Sequence, residues 1–273
     1  MSSYKLPERN NVKLTRITAI LMQEVFITIH SVEIVMDILF FPLVNIIVFG
    51  FLSLYLGGSN QNIVGQYVLL GMLLWQIIWI VEYSVSVGSL WNIWARNLSN
   101  LFVAPLMVQE YILAHTLSGI LKACIMVFIS SILSFFVFHF NILSIGIPSL
   151  ILLFINFAFF AFSMGIAMLG LIFRYGTRIQ AFAWGVVPIF QPLSAAFYPL
   201  SVMPAPLQFI AYFFPPTYTF EAARYSLVHH TVNWQLFGTS FAENIFYCVL
   251  CLLFFSRMFK KSRDTGQFAR NEA

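Results

Sequence analysis

The chain has 273 residues, of which 60% are hydrophobic and only 9% are charged, with a formal net charge of +4 and a mean hydropathy of +0.87. A soluble domain carries roughly 25% charged residues, so this composition excludes a soluble globular protein and indicates an all-α integral membrane protein. The sequence contains no phosphate-binding glycine loop, no defensible catalytic nucleophile and no metal-spaced His/Cys cluster. It therefore predicts neither an enzyme nor a metal site, and no nucleic-acid partner is expected.

Residues 1–30 predict a separate amphipathic helix. Apolar residues recur at spacings of three and four between Leu14 and Phe26, while Lys13 and Arg16 lie among them. Such a helix suits the cytoplasmic headgroup layer of a membrane. A solvated N-terminal tail is the alternative, and the interfacial helix is favoured.

Residues 31–273 predict one transmembrane domain with six spans, because each span needs about 20 mostly apolar residues. No soluble domain remains once the spans are drawn. The predicted spans are Ile34–Leu56, Val64–Leu90, Tyr111–Phe138, Ile147–Phe173, Ile179–Leu200 and Phe237–Ser256.

Basic residues predict the orientation of these spans. If the N-terminus is inside, the inner segments hold twelve Lys and Arg residues and the outer segments hold only Arg224. The positive-inside rule then places both termini in the cytoplasm of a multi-pass protein of the cell inner (plasma) membrane.

The segment Phe197–Tyr225 is apolar but cannot form one continuous spanning helix, because proline cannot occupy a helix interior without breaking it. Its prolines are Pro199, Pro204, Pro206, Pro215 and Pro216. Non-helical backbone at membrane depth persists only where protein or a water-filled cavity satisfies its polar groups, so this outward break indicates a pathway. Glu221 and Arg224, three residues apart, can form an ion pair on one helix face.

The connection between the second and third spans contains a second unusual segment. Trp91 and Trp94 suit the membrane interface, Arg96 is an inside anchor, and Pro105 ends a predicted short helix over Asn100–Ala104. This helix could dock a soluble partner or be an ordinary amphipathic loop.

Three ionisable residues fall within the predicted second and third spans: Glu82, His115 and Lys122. Glu82 and Lys122 lie at similar depths, so we predict an ion pair that joins the two spans. The alternative is a proton or ion relay, which would suit an ion-gradient-driven secondary transporter. Such a carrier is typically built from two repeats with matching broken helices, whereas this sequence has one broken region.

Two motifs carry a family resemblance that covers nearly the whole chain. The inner segment NLFVAPL (Asn100–Leu106) and the outer segment FYPLSVMPAPLQFIAYFFPPTYTFEAAR (Phe197–Arg224) resemble those of the membrane subunit of type-2 ATP-binding-cassette exporters. Related permeases export lipid-linked polysaccharide, capsule and drugs. Pro215-Pro216 stands where that family more often has Asn-Pro.

The resemblance implies a permease that moves a substrate outward with ATP hydrolysed by a separate cytoplasmic ATPase subunit. That ATPase uses the ATP and Mg²⁺, and this chain binds no cofactor. A second permease copy, as a homodimer, and membrane lipids are the other expected partners. The implied ATPase-docking residues are Trp94, Arg96, Leu101 and Pro105, and those of an exit gate are Pro199, Pro204, Pro215, Pro216, Glu221 and Arg224.

The resemblance also implies that the exit gate consists of two short re-entrant helices, Pro206–Phe214 and Thr217–Val228. The first, second and fifth spans would form the walls of the path. Aromatic side chains along it would suit either sugars or apolar drugs. The candidates are Phe40, Tyr55, Trp75, Trp79, Tyr83, Phe190 and Tyr198.

Overall fold

The computed structural model describes residues 9–57, 63–103 and 106–266. In these residues the secondary structure is helical, without a strand, which confirms the all-α class. A π-helical segment, Met36–Phe40, lies between α2 and α3, and 3₁₀ turns precede α7, α8 and α9. The α-helices are α1 (Arg9–His30), α2 (Val32–Val35), α3 (Phe41–Gly57), α4 (Ile63–Trp94), α5 (Leu98–Val103), α6 (Val108–Phe138), α7 (Ile147–Tyr175), α8 (Gln180–Leu193), α9 (Ala205–Ala211), α10 (Pro215–His229) and α11 (Trp234–Asp264).

The central helix of the bundle is α4, which is buried over most of its 32 residues between α3, α6 and α7. Small residues of its neighbours allow this close packing. A Cβ atom at Gly119 of α6 would lie 3.1 Å from the Cα of Val81, and one at Gly165 of α7 would lie 2.8 Å from the Cβ of Val85. Because apolar burial gives little advantage in lipid, close backbone approach of this kind is a main source of helix association in membranes.

The helix directions define two ends of the bundle. At the end that we name the basic end, α4 finishes, α6 begins, and α7 and α11 finish. Arg174 at the end of α7 donates to Thr265 Oγ1 over 2.8 Å, which joins these two helix termini. Arg178, Lys261 and Arg263 lie at the same end, as the alternation of spans predicted. The opposite end is named the hairpin end.

Five helical segments of the described residues are long and apolar enough to cross a membrane. They are Val32–Leu56, Ile63–Trp94, Val108–Phe138, Ile147–Leu193 and Trp234–Asp264. The predicted fourth and fifth spans both fall within Ile147–Leu193, where the 3₁₀ turn Gly176–Ile179 reverses the chain. Gly176 has a φ of 62°, a conformation that favours glycine.

The predicted fifth span, Ile179–Leu200, is too long. The observed helix α8 has 14 residues, which corresponds to about 21 Å against a hydrocarbon thickness of about 30 Å. It follows α4 from the basic end only to the level of Gly71, where a Cβ atom would lie 2.1 Å from the carbonyl oxygen of Ala196. The chain then leaves the helical path because Ala195 adopts a φ of 52°.

A hairpin of two short helices, α9 and α10, follows the end of α8 and lies between it and the hairpin end. Helix α9 is followed by a turn at Phe213 and Phe214, and α10 then returns to the hairpin end, where His230 Nδ1 lies 2.6 Å from the carbonyl oxygen of Ser144. The carbonyl of Phe213 accepts a 2.7 Å hydrogen bond from Tyr247, which lies 13 residues into α11. The carbonyl of Pro215, at the start of α10, accepts a 3.0 Å hydrogen bond from Ser240, which lies six residues into α11. At 1.5 Å per residue these two contacts place the reversal roughly 10–20 Å below the start of α11, so the hairpin is re-entrant as predicted.

The N-terminal helix α1 lies on the surface of the bundle rather than apart from it. Ile20 and Glu24 are buried against α6, whereas Leu14, Met22 and Phe26 are exposed. One face of α1 therefore packs on the bundle, and the opposite face is exposed.

Candidate functional site

A cluster of ionisable side chains joins α1 to α4 and α6. Glu24, 5% exposed, places its Oε2 atom 3.3 Å from Lys122 Nζ and its Oε1 atom 3.6 Å from His115 Nδ1. His115 Nδ1 is also 3.1 Å from the carbonyl oxygen of Ser84. Gly88 leaves the space for this arrangement, since a Cβ atom there would lie 3.1 Å from His115 Nδ1. We name Glu24, His115 and Lys122 the α1 latch.

The predicted ion pair between Glu82 and Lys122 is wrong. Both residues are described, yet the carboxylate at Lys122 belongs to Glu24. Glu82 is 2% exposed, and within the described residues its Oε1 atom has no hydrogen-bond partner. The prediction considered the depth of the two residues along their helices but not the direction of each residue around the helix axis. The backbone of α4 contacts α6 at Val81 and α7 at Glu82. Successive helical residues lie about 100° apart, so Glu82 is on a different face of α4 from the one that meets α6.

Further contacts extend the attachment of α1 along the basic end. Arg16 lies 3.6 Å from Glu110 at the start of α6. Gln23 donates to Asn92 over 3.2 Å, and Asn92 donates to the Tyr111 hydroxyl over 3.0 Å. A displacement of α1 therefore disturbs polar contacts on both α4 and α6.

The residues predicted to dock an ATPase lie around a short helix at the basic end. Trp94 is 37% exposed, Arg96 is exposed with a φ of 51°, and Leu101 is partly buried against the core. The helix is α5, and Leu98 at its start is fully buried, which anchors it to the bundle. Pro105 lies outside the described residues.

The predicted exit-gate ion pair forms. Arg224 Nη2 donates to Glu221 Oε1 over 2.9 Å, and the same carboxylate oxygen accepts the backbone N–H of Leu200 over 2.9 Å. Arg224 Nη1 donates to the carbonyl of Ala195, also over 2.9 Å. The pair thus satisfies backbone groups where α8 ends, a function that the spacing of the two residues did not reveal. We name these contacts the backbone clamp.

The predicted exit-gate prolines begin elements rather than interrupt them. Pro199 precedes the 3₁₀ turn, Pro204 precedes α9, and Pro215 and Pro216 open α10. Proline suits the first helical turn because the backbone N–H that it lacks has no partner inside the helix there. The prolines therefore define where each short helix starts.

Two adjoining cavities lie between the first span, α4 and α8, with volumes of about 610 Å³ and 410 Å³. Their walls agree with the predicted first, second and fifth spans, and both cavities are lined by Asp37, Phe41 and Trp184. Of the predicted aromatic residues, Trp75 and Trp79 line the smaller cavity. The other five do not line either cavity; Trp91, Trp94 and Trp184, which the sequence analysis did not place there, do.

Membrane-length helices, a re-entrant hairpin at one end and a cavity between the spans define a multi-pass membrane permease. Residues 15–228 match the family model described as ABC-2 type transporter, and this is most of the chain. The chain therefore belongs to the ABC-2 type transporter family and is a membrane permease component of an ABC transporter. No curated protein matches the sequence. The matched residues end before α11 begins.

Proposed function

We propose that this chain is the membrane subunit of an ATP-binding-cassette exporter and moves its substrate from the basic end to the hairpin end. The observation that carries the proposal is the termination of α8 part-way along α4, with a re-entrant hairpin in its place. If the fifth span were one continuous helix, it could move only as a rigid body. Short helices held by side-chain contacts can part and reform, which an exit gate requires.

In this proposal the basic end faces the cytoplasm of the cell inner membrane and carries the ATPase. The exposed surface of α5 supports this assignment, because Val103 is 87% exposed although it is apolar. Trp94 and Arg96 lie beside it and supply an aromatic surface and a positive charge. Aromatic and Arg side chains are the residue types that dominate binding energy in protein interfaces.

The α1 latch gives the docking surface a route to the spans. If ATP-driven closure of the ATPase displaces α5 and α1, the pull reaches α6 through Glu24 and Lys122 and α4 through Gln23 and Asn92. Because α8 packs along α4, movement of α4 reaches the backbone clamp. ATP and Mg²⁺ act on the ATPase, and a second copy of the permease completes the path as a homodimer.

The ion-gradient alternative receives less support from the geometry. A relay through Glu82, His115 and Lys122 needs these groups along one path. His115 and Lys122 share Glu24, while Glu82 lies where α4 meets α7. We therefore interpret the α1 latch as a mechanical attachment.

The test is purification of the tagged permease in a gentle detergent, with the ATPase activity and stoichiometry of the co-purified protein as readouts. We expect a stoichiometric nucleotide-binding subunit that is lost when Trp94 and Arg96 are both changed to Ala. Changing Glu221 to Ala at the opposite end should leave that association intact while export is impaired or leaks. Reproducible absence of an ATPase, or its loss in the Glu221 variant, would contradict the proposal.

A further inference from the structure

The first span carries a carboxylate in the wall of both cavities. Asp37 lies in the π-helical segment Met36–Phe40, which interrupts the α-helical course of this span. π-Helical segments are rare and occur often at functional sites. Asp37 lines both cavities, which also share Phe41 and Trp184.

Asp37 has a hydrogen-bond donor but no counter-charge in the described part of the chain. The Tyr83 hydroxyl donates to its Oδ2 atom over 2.9 Å. No described Lys, Arg or His lies within ion-pair distance of Asp37, and the neighbouring charge is the carboxylate of Glu33. An intramembrane carboxylate is costly and usually faces a partner or a cavity, and here it faces a cavity.

The remaining wall suits a cation. Five indole side chains line the two cavities, together with the amides of Asn45, Gln76, Gln180 and Gln191, and no described Lys, Arg or His lines either one. The indoles are those of Trp75, Trp79, Trp91, Trp94 and Trp184. Indole faces attract organic cations, and this attraction strengthens to about 2 kcal/mol or more once the cation loses its water.

We propose that these cavities form a binding site for organic cations, with Asp37 as the counter-charge and the indoles as the walls. The class is a drug-sized amphiphile with an amine, ammonium or comparable positive centre, because cavities of roughly 300–1,000 Å³ enclose ligands of that size. An anionic substrate is disfavoured, since Asp37 and Glu33 would repel it at the start of its path. This inference names the substrate class of the proposed exporter and rests on that function.

Two ions of matched shape and opposite charge test the charge preference. Tetraphenylphosphonium and tetraphenylborate are offered to the full-length permease in lipid nanodiscs, and empty nanodiscs supply the background of partition into lipid. We expect saturable binding of the phosphonium at least tenfold tighter than any saturable binding of the borate. Equal affinities, or no saturable phosphonium binding by folded protein, would overturn the inference.

The role of Asp37 is tested by Asp37→Asn, which keeps an oxygen to accept from Tyr83 and removes the charge. We expect it to weaken phosphonium binding at least tenfold, whereas Asp264→Asn, the same change at the exposed end of α11, should leave it unaltered. An unchanged affinity in Asp37→Asn would contradict the proposed counter-charge. The assay needs neither ATP nor the ATPase, so absence of an ATPase partner would refute the exporter without removing the binding result.

Discussion

At the scale of single residues, two buried charged side chains, Arg224 and Glu24, each contact two partners. Arg224 is 4% exposed and contacts both the Ala195 carbonyl and Glu221. Glu24 is likewise shared between two residues of α6. In each case one ion holds two partners, so its removal has a larger effect than loss of one surface ion pair.

Arg224→Leu should destabilise the folded protein by about 3 kcal/mol, the lower end expected for breaking a buried ion pair, because the Glu221 side chain is 31% exposed. The change leaves the Ala195 carbonyl without its donor. Thermal unfolding in detergent measures the effect. Glu221→Gln is the matched comparison, since its amide oxygen can still accept the Leu200 N–H, and it should cost less. Equal stability of the two variants would contradict the backbone clamp.

Glu24→Gln should loosen α1, because it removes the charge that holds Lys122 while leaving the length of the side chain unchanged. Limited proteolysis should then release α1 faster than in the unaltered protein. Glu82→Gln makes the same side-chain change in a neighbouring part of the core, at a residue that has no ion pair with Lys122, and its proteolysis should match that of the unaltered protein. Faster release in Glu82→Gln alone would show that the latch is assigned to the wrong carboxylate.

At the scale of elements, the sequence predicted which long and short helices are present better than it predicted where α8 ends or which residues face each other between helices. Pro199 to Pro216 predicted a break, and the family resemblance implied a pair of short helices, which α9 and α10 confirm within a few residues. The end of α8 at Leu193 was not predicted, because it depends on the positive φ of Ala195 and on Arg224, which follows 29 residues later. The partner of Lys122 was missed for a related reason: Glu24 is distant in sequence and lies outside the predicted spans.

Gly71→Ala should separate the end of α8 from α4. Its new Cβ atom would lie 2.1 Å from the Ala196 carbonyl oxygen, and a backbone atom cannot move aside as a flexible side chain can. We expect lower thermal stability and a leak of small solutes through proteoliposomes. Gly185→Ala in α8 is the control, because a Cβ atom there meets nothing within 4 Å. It should be neutral or slightly stabilising, since Ala favours helix over Gly by about 1 kcal/mol. A leak in the control variant would show that the leak in Gly71→Ala does not result from the contact between Gly71 and Ala196.

At the scale of the whole molecule, the larger of two buried cores extends from Ile20 in α1 to Phe255 in α11. The smaller core, of Ala195, Leu200, Met203 and Ala211, lies where the chain leaves α8 and enters the hairpin. The two ends differ: one gathers basic helix termini and α5, and the other contains the hairpin. The larger core transmits movement along the bundle, because close-packed interiors deform little. This asymmetry is what the proposed cycle uses.

The proposed orientation predicts opposite labelling of the two ends. The three native cysteines, Cys124, Cys248 and Cys251, are first replaced by Ser to remove background. Ser201→Cys, exposed near the hairpin, should react with a membrane-impermeant maleimide in intact cells. Arg178→Cys, exposed at the basic end, should react only after the membrane is opened. The reverse pattern would place the basic end outside and reject the export direction.

The most direct test of the central claim is whether ATP opens the hairpin end. Gln191 lines the smaller cavity on α8, close to where that helix ends, so Gln191→Cys in the cysteine-free background reports access to the path. In proteoliposomes containing the permease with its co-purified ATPase, maleimide is supplied at the hairpin side and ATP at the basic side. The account predicts that ATP accelerates labelling of Gln191→Cys and leaves that of Ser201→Cys unchanged. Labelling of Gln191→Cys at one rate with and without ATP would contradict it.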